Sequence, residues 1–236
     1  MNRLHVDSVR KKIGDRSILN DVFISCQSGE IVGLLGRNGA GKSSLFKIVF
    51  GSLAADYKFV SVNDRKTRGL YSSSDLIHYL PQHRFLPEHI KIADLISCFC
   101  RRDKAALLMK QEWIQALLIK KAKALSTGER RMVECGILLF SEARFLLLDE
   151  PFNGIAPLYV DRIKELIRQN INEKGTVITG QDYKNVIDLS SRIILMQDGN
   201  TREIKNLEEL VEYGYLRASA DLGVWVTETS NCLKNF

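Results

Sequence analysis

The segment IVGLLGRNGAGKSS, residues 31–44, constrains this chain more tightly than any other. Ile31–Leu35 carries no polar side chain, as expected for a strand buried on both faces of a parallel sheet. The glycines at Gly36, Gly39 and Gly41 break that strand, and Lys42–Phe50 reads as a helix. Residues 36–43, GRNGAGKS, fit the pattern G-x-x-x-x-G-K-[ST]. The glycines let backbone N–H groups turn inward, so phosphate oxygens would meet a nest of amides and the positive end of a helix dipole. Gly36, Asn38, Gly39, Ala40, Gly41 and Ser44 belong to that cradle. The Lys42 ammonium would reach β- and γ-phosphates, and the Ser43 hydroxyl would bind Mg²⁺.

Around this loop the chain reads as alternating strand and helix. Short strand-like runs at residues 4–9 and 21–25 precede it. Further buried-strand signals lie at Phe145–Leu148, 176–179 and 192–196. Between the first two of these, Val160, Ile163, Leu166, Ile167 and Ile171 recur at helical spacing. That order predicts an α/β fold with a mostly parallel sheet and flanking helices. Residues 63–75 are polar and loop-like. Residues 85–125 have helical character, with Leu107, Ile114, Leu117 and Leu118 able to share a face, and are expected to form a subdomain apart. The stretch from about Tyr213 carries no interpretable pattern.

Composition excludes several classes. The 236 residues are 45% apolar and 26% charged, which suits one soluble domain with at most a small subdomain. No apolar run approaches the roughly 18 residues that span a bilayer, and the N-terminal MNRLHVDSVRKK lacks the apolar stretch of a signal peptide. The chain is therefore expected in the cytosol, meeting a membrane only through another chain. Five scattered cysteines, Cys26, Cys98, Cys100, Cys135 and Cys232, form no Cys-x-x-Cys pair, so neither a disulfide framework nor a zinc site is indicated. The formal charge of +6 is spread among acids and reads first as solvated surface, with no nucleic-acid partner expected.

Two more segments bear chemistry. In FLLLDEP, residues 145–151, an apolar strand delivers Asp149 to the sheet's carboxyl edge, where open α/β sheets bind ligands. Asp149 would hold Mg²⁺ through water, and Glu150 could accept a proton from an attacking water. In LSTGERR, residues 125–131, Ser126 and Glu129 have the spacing of a capping box. The helix it opens is a second anion site. A chain that already has a phosphate loop has no use for it on the same nucleotide. It makes sense if Ser126 and Gly128 contact the γ-phosphate held by a partner chain.

With these segments in this order, the chain resembles the ATP-binding cassette (ABC) ATPase family, whose signature LSTGE approximates. The resemblance runs from about Leu4 to Leu210. It implies a P-loop NTPase fold with an N-terminal antiparallel β part, a discontinuous core of residues 1–82 and 126–236, and a helical subdomain of residues 83–125. It implies ATP and Mg²⁺ as ligands, a second cassette as homo- or heterodimer partner, and integral membrane permease subunits that hold the chain at the inner face of the membrane. Gln82 in YLPQ matches the family's Q-loop glutamine, a sensor of Mg²⁺ and the attacking water. GERRMVE and DEPFNGIAPLYVDRIKELI look most like the transporter ATPases for lipopolysaccharide export and branched-chain amino acid import.

Four departures from the family pattern stand out. Gln181 occupies the position of the switch histidine. Ala156 stands where an aspartate crosses the dimer interface. Ile13 sits where an aromatic ring stacks on adenine, and Thr127 and Glu129 replace Gly and Gln in the signature. The first two bear on turnover, so a weakly hydrolysing ATP-binding module stays open beside a transporter ATPase. A soluble ABC ATPase outside transport, like the iron–sulfur-assembly members, is the other alternative. Replacing Lys42 with Ala should abolish measurable ATP binding, because the phosphate loop loses its only cation in reach of the β- and γ-phosphates; isothermal calorimetry showing unchanged affinity would remove the phosphate-loop assignment.

Overall fold

The computed structural model describes residues 2–67 and 76–217. A hairpin of β1 (Arg3–Ile13) and β2 (Arg16–Gln27) leads into β3 (Ile31–Leu35) and α1 (Lys42–Phe50). Next come β4 (Tyr57–Val62), the two-residue β5 (Arg65–Lys66) and β6 (Ile77–Leu80). Three short helices follow: α2 (Ile92–Phe99), α3 (Arg102–Met109) and α4 (Glu112–Gln115). The remainder alternates: α5 (Thr127–Leu139), β7 (Phe145–Leu148), α6 (Pro157–Asn170), β8 (Gly175–Thr179), α7 (Tyr183–Leu189), β9 (Arg192–Gln197), β10 (Asn200–Ile204) and α8 (Glu209–Glu212).

The strands form two sheets. An antiparallel sheet runs β2-β1-β4-β5, and a second runs β10-β9-β3-β8-β7-β6. In the second sheet β9, β3, β8, β7 and β6 are mutually parallel, and β10 closes the edge antiparallel. Every residue of β3, β7 and β8 is buried, because helices or the first sheet cover both faces. The strand period of two divides these residues between two cores. Leu35, Leu146 and Leu148 pack under α5, α6 and α7, while Val32, Leu34, Phe145 and Leu147 face α1 and the antiparallel sheet. A third core gathers Leu95, Ile96, Leu108 and Ile114 with Val133 and Ile137 of α5. α5 therefore packs on both the parallel sheet and the short helices.

The expected elements appear with altered edges. β1 and β2 are far longer than residues 4–9 and 21–25, because their flanking polar residues pair across the hairpin. β4, β6 and β10 escaped the reading. They are short strands at or near sheet edges, where polar and half-exposed residues blur the apolar signal. Within residues 63–75, residues 65 and 66 pair with β4, and 68–75 lie outside the described residues. The shared face proposed for Leu107 is corrected. Leu107 is 52% exposed while Ile114 and Leu117 are buried. The chain breaks into separate helices at residues 100–101 and 110–111, so helical spacing does not carry across them. Leu118 packs half-buried against the third core.

Cys26, Cys100 and Cys135 are buried and free, Cys98 is exposed and free, and Cys232 lies outside the described residues. Among the described residues no helix is long and apolar enough to cross a membrane. The expected featureless stretch begins after α8. Its described part leans on the glycine-rich loop between β3 and α1, where the Arg37 guanidinium donates to the Gly214 carbonyl at 2.7 Å; residues 218–236 lie outside the described residues.

The two sheets meet closely where β2 ends and β8 begins. A Cβ on Gly175 would lie 2.7 Å from the Gln27 carbonyl oxygen and 2.7 Å from the Phe145 ring. The first neighbour is backbone and cannot yield. Gly175→Ala should therefore cost about 1–3 kcal/mol of stability, the usual range for overpacking, seen as a lower urea midpoint with an unchanged slope.

Candidate functional site

β3 ends at Leu35 and the chain wraps into a loop whose Gly39 and Gly41 have φ of +82° and +106°. These left-handed conformations cost glycine little, and at Gly41 there is no room for a side chain: a Cβ would lie 2.8 Å from Leu19. α1 starts from Gly41 without a side-chain cap, so its first-turn amides point at whatever fills the loop. The Lys42 side chain is buried and folds back, its Nζ donating to the Gly36 carbonyl at 2.6 Å and the Arg37 carbonyl at 3.1 Å. Burial lowers its pKa, against the upward pull of Glu150 and Asp149. Among the described residues it forms no ion pair within 4 Å. A buried ammonium satisfied only by carbonyls, beside uncapped helix amides, makes a receptor for an anion such as a phosphate chain.

The carboxyl edge of β7 supplies the acids. Asp149 is 1% exposed. Its Oδ1 accepts from the Thr179 hydroxyl at 2.9 Å and its Oδ2 from the Tyr79 hydroxyl at 2.9 Å. Glu150 follows with φ of +50°, a conformation costing a non-glycine residue about 1–2 kcal/mol. The Thr179 hydroxyl also accepts its backbone N–H at 3.0 Å, so one side chain at the end of β8 holds both acids. The Glu150 carboxylate is ringed by amides: its Oε2 accepts from Gln82 at 2.8 Å, Asn153 at 3.0 Å and Gln181 at 3.2 Å.

A cleft of about 400 Å³ brings together Ile13, Ile18, Asn38, Gly39, Ala40, Gly41, Lys42, Ser43, Ser44, Gln82, Glu150 and Gln181. Nearly all the residues expected on one nucleotide thus share one cavity. Gly36, whose carbonyl accepts from Lys42, and Asp149, which precedes Glu150, do not line it. Ile13 is 60% exposed at the end of β1, a flat apolar rim without a ring. Ser126 and Gly128 do not line this cleft. Ser126 caps α5 in a full capping box with Glu129, and Gly128 packs on Tyr159, whose ring leaves no space for a Cβ. Sequence reasoning did not single out Thr179, Tyr79, Asn153 or Arg131. Thr179 closes a strand that was anticipated, and Arg131 lies within the quoted LSTGERR, but what each bonds depends on the fold.

The residues present suit a hydroxyl- and carboxylate-bound divalent cation better than a self-contained metal cage: among the described residues no cluster of three His, Cys, Asp or Glu could hold a metal. Ser43 of α1 and Asp149, just past the end of β7, offer the hard oxygen donors that Mg²⁺ takes together with phosphate.

Comparison with known proteins bears on this site. A family profile described as ABC transporter matches residues 19–153. The lipopolysaccharide export system ATP-binding protein LptB of Acidithiobacillus ferridurans is 30% identical over 222 residues, covering 89% of this chain and 92% of that protein. The protein of the same name from Escherichia coli K12 is 32% identical over 215 residues, covering 85% and 89%. A solved structure of an ATP binding subunit of an ABC transporter superposes with a TM-score of 0.78 at 20% identity, covering 95% of this chain and 99% of that one.

The double role of Thr179 gives a direct check. Thr179→Val keeps the shape but leaves the Glu150 N–H and Asp149 Oδ1 without that partner in a buried site. A stability loss of about 1–3 kcal/mol follows, measured by urea unfolding; an unchanged midpoint would mean the hydroxyl does not hold the turn.

Proposed function

This chain belongs to the ABC transporter family and is an ATP-binding subunit of that type, and on that premise we propose how its cleft binds Mg²⁺–ATP and hydrolyses it. The observation that carries the reading is the Glu150 carboxylate, fixed by the Gln82 and Gln181 amides at the edge of the cleft that Lys42 occupies. The loop amides of residues 38–44 and the Lys42 ammonium hold the β- and γ-phosphates. Ser43, Asp149 and Gln82 would hold Mg²⁺, Asp149 through water; the Tyr79 and Thr179 hydroxyls fix the Asp149 carboxylate while each of its oxygens keeps a lone pair free. When bound, the cation supplies electrostatic stabilisation of charge on the phosphate oxygens. Glu150 is the general base for the attacking water, and its neighbouring amides orient it without neutralising it. Ile13 and Ile18, which line the same cleft, would cover the adenine without aromatic stacking.

Ser126 and Gly128 lie outside this chain's own cleft, at the free end of α5. We infer that they complete a partner cassette's site, so two cassettes close face to face around ATP. An apolar groove beside Gln82, lined by Phe50, Tyr79, Pro81, Phe85, Phe99 and Leu138, suits a helix of a membrane permease. Docking there would hold the chain at the cytoplasmic face. Similarity to LptB makes an export complex the first partner to test. The division into a core of residues 1–82 and 126–236 and a helical part of residues 83–125 fits this use, since the helical part packs on α5, whose N-terminus would face the partner cassette.

Gln181 sets the rate in this reading. Its neutral amide reaches Glu150 but carries no charge, and charge-assisted hydrogen bonds are roughly twice as strong as neutral ones. Loss of one preorganised donor to a transition state costs about 2.7–4 kcal/mol, or roughly a hundredfold or more in rate. Ala156 adds to the deficit at the dimer interface. The protein alone should therefore turn over slowly, and Gln181→His should raise steady-state phosphate release at saturating ATP, with Glu150→Gln as the zero. A histidine variant no faster than wild type in single-turnover measurements would count against this role for Gln181.

A further inference from the structure

α5 buries three charged side chains, Arg130, Arg131 and Glu134. Arg131 is spread across an unusual set of acceptors. Its Nη2 donates to the Asp149 carbonyl at 2.9 Å and the Glu150 carbonyl at 3.1 Å. Its Nε donates to the Pro151 carbonyl at 3.3 Å, and its Nη1 to the Pro81 carbonyl at 2.8 Å and to Glu134 at 3.2 Å. One planar guanidinium thus takes three successive carbonyls of the turn that bears Glu150, plus the residue before Gln82. Only a rigid fork with five donors can do this; a lysine has three donors at one point.

The other side of the network is equally fixed. Glu134 balances the charge and is shared with Arg130 at 3.4 Å. Arg130 in turn donates to the Leu86 carbonyl, tying α5 to the segment that follows Gln82. The same helix begins at Ser126 and carries Gly128 in its first turn. A stiff element therefore runs from the surface offered to a partner cassette to the turn that holds this chain's own base. None of these bonds touches the Lys42 loop.

We propose that Arg131 is a positioning residue for hydrolysis, holding Glu150 and Gln82 in register with the N-terminus of α5, so that seating α5 on a partner cassette's nucleotide also sets this chain's own hydrolytic turn. The inference rests on the roles given above to Glu150, Gln82 and Ser126. Removing Arg131 loosens the turn at Glu150, which then keeps the Thr179 hydroxyl on its N–H, the Asn153 N–H on its carbonyl and the side-chain amides. It leaves no stranded charge, because Glu134 keeps Arg130.

The test compares wild type, Arg131→Lys and Arg131→Met in the full chain. ATP affinity measured by calorimetry without Mg²⁺, which reads the Lys42 loop alone, should be unchanged in both variants. The kcat should fall by about a hundredfold in the methionine variant, the loss typical of small misplacement of a catalytic group, with the lysine variant between. Hydrogen exchange of the Glu150 and Asn153 amides in the ATP-bound protein should speed up in the same order. An equal loss of affinity and kcat, or exchange at residues 149–153 matching wild type, would overturn the proposal. If wild type released no more phosphate than Glu150→Gln, the hydrolysis reading itself would fall, and the exchange rates would still decide whether Arg131 holds the turn.

Discussion

Parallel pairing of β3, β8 and β7 is the constraint on which the rest of this molecule depends. Parallel neighbours place their carboxyl ends side by side, so the loop after Leu35, the Thr179 hydroxyl and the Asp149–Glu150 pair emerge at one edge of one sheet. The cost is that three central strands are buried on both faces and must be covered completely. α1 and the antiparallel sheet cover one side and α5, α6 and α7 the other. Those covering helices also reach the cleft, because α1 begins at the glycine-rich loop and α5 bonds the acidic turn through Arg131.

Charge in the cleft is arranged as one buried cation facing two buried carboxylates that it does not touch. Lys42 is satisfied by carbonyls, Asp149 by two hydroxyls, and Glu150 by three carboxamides. Each charge is thereby solvated by dipoles rather than quenched by an opposite charge, which leaves all three available to a charged ligand. Preorganised dipoles of this kind do not have to reorient as charge moves. The same arrangement explains the left-handed backbone at Glu150, where local strain is held in place by Thr179 on one side and Arg131 on the other.

The chain's own residues determined more of this than its irregular stretches suggest. The apolar run before GRNGAGKS announced a buried strand, the loop and the helix, and β3 and α1 have those bounds. The capping box at Ser126 is local, three residues apart, and forms as its spacing demands. The acids of FLLLDEP lie at a strand end because the hydrophobic run stops there. These features depend on neighbours in sequence, and local physics suffices to read them.

Tertiary structure alone decided which distant groups meet. Short edge strands such as β6 and β10 carry too little apolar pattern to be seen. The three short helices bury faces set by α5 and not by a common period, which is why Leu107 points outward while Leu108 is buried. Nothing in a list of residues tells Thr179 that its hydroxyl will lie between Asp149 and the Glu150 amide, or Arg131 that four carbonyls from two loops will converge on it. Those contacts arise from strand order, with β8 inserted between β3 and β7. Strand order is set by how the whole chain closes over its buried faces, a long-range balance that no short segment encodes.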